Sequence, residues 1–156
     1  FTDELSGYAN NAMIRDALNA LPLGTGDTIR SMMESCYQTL IRHGWVLLTY
    51  SASATDHRYA MGMLWADANA DLLDSASWQK GSSPVFATNA ELKRFGPGHN
   101  SFVLAEDGKT DLMLYHSRDY QQLQGSALTD PNRHARIRLL GWDAEGWPLF
   151  RPEQPD

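Results

Sequence analysis

Hydrophobic and polar positions change rhythm near Gly44. Before it the spacing is helical. Ile14, Ala17, Leu18 and Leu21 fall on one helical face, and Pro22 and Gly24 end the run. Ile29, Met32, Met33, Cys36, Tyr37 and Leu40 then recur at i, i+3, i+4 and i+7, with Asp27 or Thr28 as N-cap and Gly44 as a stop. This pattern predicts a helix over 9–21 and a second over 27–37, giving way to strand from 38. After Gly44 the runs are short and rich in β-formers: 45–51 (WVLLTYS), 59–66 (YAMGMLWA), 84–87, 101–105 and 111–116 (DLMLYH), then 135–142 and 147–150. Glu106-Asp107-Gly108-Lys109 and Asp143-Ala144-Glu145-Gly146 separate two pairs of these runs as polar hairpin turns with Gly at the tight point. Short strands at even spacing, with no strand–helix–strand alternation, predict an all-β sandwich, barrel or propeller.

Composition narrows the class. The chain has 156 residues, 42% of them hydrophobic and 21% charged, which is an ordinary globular balance for one domain. Thirteen basic against nineteen acidic residues give a charge of −6, which argues against nucleic acid as a partner. No stretch approaches the roughly 20 apolar residues of a membrane-spanning helix. Cys36 is the single cysteine, so neither an internal disulfide nor a zinc-finger site is available. The chain opens on Phe1 without a signal-peptide pattern, so the expectation is a processed chain or part of a longer one.

No nucleotide-binding, metalloprotease, EF-hand or nucleophile-elbow signature is present. The acidic run 67–74 (DANADLLD) lacks the spaced Gly and closing Glu of a calcium loop and reads as a solvated turn. Two segments offer chemistry. Gly96-Pro97-Gly98-His99-Asn100-Ser101 reads as a sharp connection that can bring backbone, a His and an Asn close to a ligand, or as a plain turn with a hydrogen-bonded His. Asp130-Pro131-Asn132-Arg133-His134-Ala135-Arg136 offers charge-assisted donors for hydroxyls or a carboxylate, or is a solvated loop. Asp56 and His57 follow a polar turn and could reach a pocket rim. Five tryptophans offer faces for sugar stacking, although most such residues serve the core.

Taken in order, LTYSASATD, YAMGMLWADANADLLDSASWQK, SPVF, FGPGHNSFVLAEDGKTDLMLYHSRDY and DPNRHARIRLLGWDAEGWP resemble the C-terminal half of glycoside hydrolase family 43. The likeness is strongest to α-L-arabinofuranosidases and exo-arabinanases, and covers about two-thirds of the chain. It implies a five-bladed β-propeller of which this chain forms about half the ring, with a divergent segment over 1–37 and propeller blades over 38–156. It also implies inverting hydrolysis, in which an acid and a base stand about 6.5–9.5 Å apart. The family's two aspartates belong to N-terminal blades with no counterpart here.

The family's acidic Glu stands in a Glu-Gly-Pro tripeptide ahead of a strand resembling 39–42. Counting back from Arg42-His43-Gly44 puts Ser35 at that position and Glu34 one residue early. Glu34 is the acid if a bulge absorbs the slip. The first 33 residues match nothing in the family, and read as a divergent segment or as a stretch whose reading frame was lost before residue 38. A propeller member would use 38–50 as a hairpin, against the helical spacing that runs to about residue 43.

By the same resemblance His99 lies near the propeller axis and helps hold a central calcium ion through waters. Arg136 reaches the active site and His116 lines the pocket. The implied substrates are plant cell-wall saccharides containing arabinose. A non-catalytic sugar-binding or assembly module and a β-xylosidase are the alternatives. Self-association, or pairing with a missing N-terminal half, follows from an incomplete ring. Secreted and cytoplasmic locations both stay open, in a bacterium or a fungus.

Overall fold

A computed structural model describes residues 37–150. They form nine strands: β1 (Tyr37–Arg42), β2 (Trp45–Ala52), β3 (Ala60–Asp67), β4 (Gln79–Lys80), β5 (Phe95–Leu104), β6 (Asp111–Arg118), β7 (His134–Leu139), β8 (Gly141–Trp142) and β9 (Pro148–Leu149). One 3-10 turn at Ser75–Ser77 is the sole helical element among the described residues. The sheets are ordered β1-β2-β3-β4, β5-β6-β7 and β8-β9. The all-β expectation holds for these residues. The helix predicted over 9–21, and all but the last residue of the one predicted over 27–37, lie outside them.

At Tyr37 the chain is already strand, so the helical spacing does not reach the end of its predicted span. The reason is local. His43 and Gly44 both take positive φ, at 53° and 82°, which makes a two-residue hairpin turn whose twist suits the flanking strands. Gly44 therefore joins two strands instead of ending a helix.

The described residues form two compact units. In the first, the described residues up to Thr49 join Met63–Lys80. Val46, Leu47, Leu48 and Thr49 are consecutive and all buried, so this stretch of β2 is covered on both faces. Asp67, Asp71 and Asp74 each accept a backbone N–H two residues on, at 2.8–3.0 Å, as the solvated-turn reading of 67–74 requires.

The second unit takes Tyr50–Gly62 and the described residues from Gly81 onward. Its core gathers Met61, Phe86, Met113, Tyr115 and Phe150. Phe86 meets Tyr115 edge to face at 5.0 Å between centroids, and the Arg138 guanidinium lies 5.2 Å above the Phe86 ring. Two expectations are corrected here. Residues 84–87 form no strand: Phe86 makes a single bridge to Met61. The glycine-rich stretch from Gly96 is not a loop between strands but the first half of β5, with register shifts between Phe95 and Gly98 and between Gly98 and Ser101. Those irregularities absorb the backbone freedom that the sequence suggested would make a turn. The two hairpin turns are present, with Gly108 at φ 66° and Gly146 at φ 77°.

Candidate functional site

The irregular half of β5 lies against the loop that leads into β3. Gly96 has φ 58°, and a Cβ there would stand 2.2 Å from the Asp56 carbonyl oxygen. Gly98 likewise leaves room for the Tyr59 ring, which a Cβ would meet at 2.6 Å. Only glycine permits both approaches. Directly after Gly98 the backbone reaches His99, an exposed residue held at φ 51°, a conformation that side chains with a Cβ seldom adopt. Its N–H donates to Ser51 Oγ at 2.7 Å, which fixes the kink from β2.

The kink delivers the His99 ring to His116 of β6, with centroids 6.2 Å apart and planes 26° apart. Tyr59 stacks on His116 at 5.7 Å and 5°. Arg133 Nη2 donates to His116 Nε2 at 2.8 Å. A guanidinium has only donors, so Nε2 accepts and the imidazole proton sits on Nδ1. Burial first, then the charges of Arg133, His99 and Arg118, push the His116 pKa down to about 4. His116 is therefore a neutral ring at physiological pH. Its Nδ1 and Arg133 Nε are both buried without a hydrogen-bond partner.

A buried ion pair sets the position of Arg133. Asp130 accepts from Arg118 Nε at 3.2 Å, from the Tyr120 hydroxyl at 3.1 and 3.2 Å, and from the backbone N–H groups of Gln124 (2.6 Å) and Asn132 (3.0 Å). Arg118 also donates to the carbonyls of Thr55 (2.9 Å) and Ala127 (2.7 Å). Burial works against the Asp130 carboxylate, but these donors together outweigh it and hold its pKa below the usual carboxylate value. The 130–136 segment is thus anchored at Asp130, not a solvated loop at that end.

The predicted site residues divide. His99 and His116 come together. Arg136 does not join them: its Nε donates to Ser117 Oγ at 2.7 Å and its Nη2 to Asp119. It pairs across the sheet with Tyr115, whereas His116 pairs with Ala135, so the two lie on opposite faces. Glu34 lies outside the described residues. Asp56 is bound to Arg58, whose side chain and then backbone N–H lower its pKa, and His57 Nδ1 stands 3.9 Å from it. Sequence reasoning missed Arg133 and Tyr59. Arg133 stood in the flagged basic cluster, but spacing alone does not say which guanidinium turns toward β6. Among the described residues no group of three His, Cys, Asp or Glu is arranged to hold a metal ion.

Residues 30–148 match the family described as Glycosyl hydrolases family 43. The chain belongs to that family. Among curated family relatives, an extracellular exo-α-(1→5)-L-arabinofuranosidase of Streptomyces avermitilis is 54% identical over 71% of this chain and 23% of its own length. The α-L-arabinofuranosidase 43 of Humicola insolens is 49% identical over 74% of this chain and 24% of its own. The crystal structure of an α-L-arabinofuranosidase from Lactobacillus brevis superposes with a TM-score of 0.72 at 51% identity, covering 76% of this chain and 37% of that one. A thermostable family-43 glycoside hydrolase, at 21% identity and a TM-score of 0.54, shares the fold. The chain spans about a quarter of the length of the curated relatives it matches.

Proposed function

We propose that this chain supplies part of the sugar-binding wall of an α-L-arabinofuranosidase, in a five-bladed propeller of which these sheets are blades. The observation that carries the reading is His99. A strained residue, placed directly after two glycines' close approaches and stacked on a neutral His116, is what a preorganised ligand contact requires and what a plain strand does not. The names of relatives 44–54% identical support the arabinofuranosyl substrate class. In this reading the ring faces of Tyr59, His116 and His99 and the Arg133 guanidinium orient a terminal arabinofuranose of a plant cell-wall saccharide. Arg136 buttresses the sheet behind them, and His99 faces a central calcium ion through waters.

Inverting hydrolysis needs an acid and a base on opposite sides of the bond. Glu34 is the candidate acid, and the base comes from outside the matched span. A secreted setting follows the extracellular relative. A non-catalytic binding module is the second reading. One observation favours it: Asp56, Asp119 and Asp130 are each committed to an arginine in the second unit. Incubating a chimera, in which residues 30–148 replace the matching family span of the Lactobacillus brevis enzyme, with an aryl α-L-arabinofuranoside separates the two. Turnover by the chimera that Glu34→Gln abolishes supports the enzyme. Binding without turnover supports the module, and neither binding nor turnover overturns both.

A further inference from the structure

Arg118, the last residue of β6, is 1% exposed, and all three nitrogens of its guanidinium donate inward. Nε reaches the Asp130 carboxylate at 3.2 Å, Nη2 the Ala127 carbonyl at 2.7 Å and Nη1 the Thr55 carbonyl at 2.9 Å. These acceptors belong to two different connections. Asp130 and Ala127 lie between β6 and β7, and Asp130 stands just ahead of Arg133, which donates to the Nε2 edge of His116. Thr55 lies between β2 and β3. Its neighbour Asp56 accepts the Tyr59 N–H and so closes the turn that lays Tyr59 on the face of the same ring. One buried cation therefore ties together the two segments that meet His116 on its edge and on its face. Stability alone does not call for an ion pair here, because a buried pair seldom outperforms apolar packing of equal volume. A planar fork of donors suits a junction that must meet three acceptors at once.

We propose that Arg118 is a positioning residue for sugar binding, holding Tyr59 and Arg133 at the spacing at which both engage His116. The proposal rests on the sugar-binding reading of that ring cluster. Sealed from solvent, Arg118 acts through these neighbours and not by touching sugar. Lysine at this position would keep the charge beside Asp130. Its ammonium is a compact point charge on a flexible stem, however, and cannot span the three acceptors that the fork spans. With the Thr55 or Ala127 carbonyl released, the two connections would settle independently, and the spacing of Tyr59 and Arg133 would drift. In a preorganised site a misplacement of about 1 Å costs up to about a hundredfold.

The test compares the parent chain with Arg118→Lys and with a double variant, Arg118→Gln plus Asp130→Asn. The double variant removes both charges together and so leaves no unpaired ion in the interior. Two readouts are taken well below each variant's Tm. The first is titration with an α-1,5-linked arabino-oligosaccharide, which the folded variants should bind about tenfold to a hundredfold more weakly. The second is the NMR signature of the His116 ring without sugar. There the Nε2 shift reports Arg133 and the ring-current shift reports Tyr59, and both should move. A residue that only stabilises the fold would lower Tm and leave both readouts unchanged in the folded protein. That result in either variant overturns the proposal. So does failure of both variants to fold, which would make Arg118 a determinant of the fold and not of the site. If the parent chain binds no sugar, the sugar reading fails, and the His116 ring signals still decide whether Arg118 sets the geometry.

Discussion

Gly96→Ala should be among the most damaging single-methyl changes in the described residues. The added Cβ would stand 2.2 Å from the Asp56 carbonyl oxygen and 3.1 Å from its carbon. Both are backbone atoms. The carbonyl cannot retreat freely, because it accepts the Tyr59 N–H at 3.1 Å and so closes the turn that presents Tyr59. Two costs combine. A residue with a Cβ at φ 58° costs about 1–2 kcal/mol, and overpacking adds about 1–3 kcal/mol. The total is about 2–5 kcal/mol, or a Tm drop of roughly 5–15 °C for a chain of this size. Gly108→Ala is the internal control. It has nearly the same φ, 66°, and nothing within 4 Å of the new methyl, so it should show only the conformational cost of about 1–2 kcal/mol. Urea unfolding followed by tryptophan fluorescence measures both, with the slope held constant. If the two variants lose the same stability, the close approach of β5 to the 56–59 turn is wrong.

Other consequences can be checked one by one. Arg118→Ala leaves the Asp130 carboxylate buried without its cation and should cost about 3–5 kcal/mol in the same unfolding assay. Because the Asp130 pKa is lowered on folding, its stabilisation is present above the ordinary carboxylate pKa and is lost as pH falls through the folded value; Asp130→Asn should flatten the acid limb of a stability–pH curve. His116 has a lowered pKa as a base, so the unfolded chain takes up its proton first. Stability should fall as pH drops from about 6.5 toward about 4, and Arg133→Gln should move the His116 titration upward when followed by NMR. His99→Gly should raise Tm by a few degrees by relieving the strained φ while removing sugar binding, read by calorimetry and ligand titration.

The short runs of β-formers at β2, β3 and β6 stand out in the sequence, and both Gly-containing hairpin turns follow from theirs. Residues 37–42 are ambiguous because Tyr37 and Leu40, three apart, continue the helical stripe while Tyr37, Thr39 and Ile41 are β-formers. The positive φ at His43, which decides for the hairpin, is not written in a histidine. The stretch from Gly96 was flagged for the right residues and the wrong geometry. Glycine and proline suggest a turn, yet pairing with β6 carries the strand through it, at the cost of two register shifts. His99 and His116 were legible through family resemblance. Their partner was not, because Arg133 and Arg136 differ in which face they meet, and that depends on where β7 begins. Asp130 looked solvated because nothing local shows that Arg118, twelve residues earlier, folds back over it.

The most direct test of the account is an imidazole NMR titration with an α-1,5-linked arabino-oligosaccharide. The chain has five histidines, so each ring can be assigned by substitution. The account predicts that sugar shifts the His99 and His116 signals, leaves His43, His57 and His134 in place, and shifts none of the five once Arg133 is replaced by Ala. Sugar-dependent shifts that spare His99 and His116, or that persist unchanged in Arg133→Ala, would contradict it.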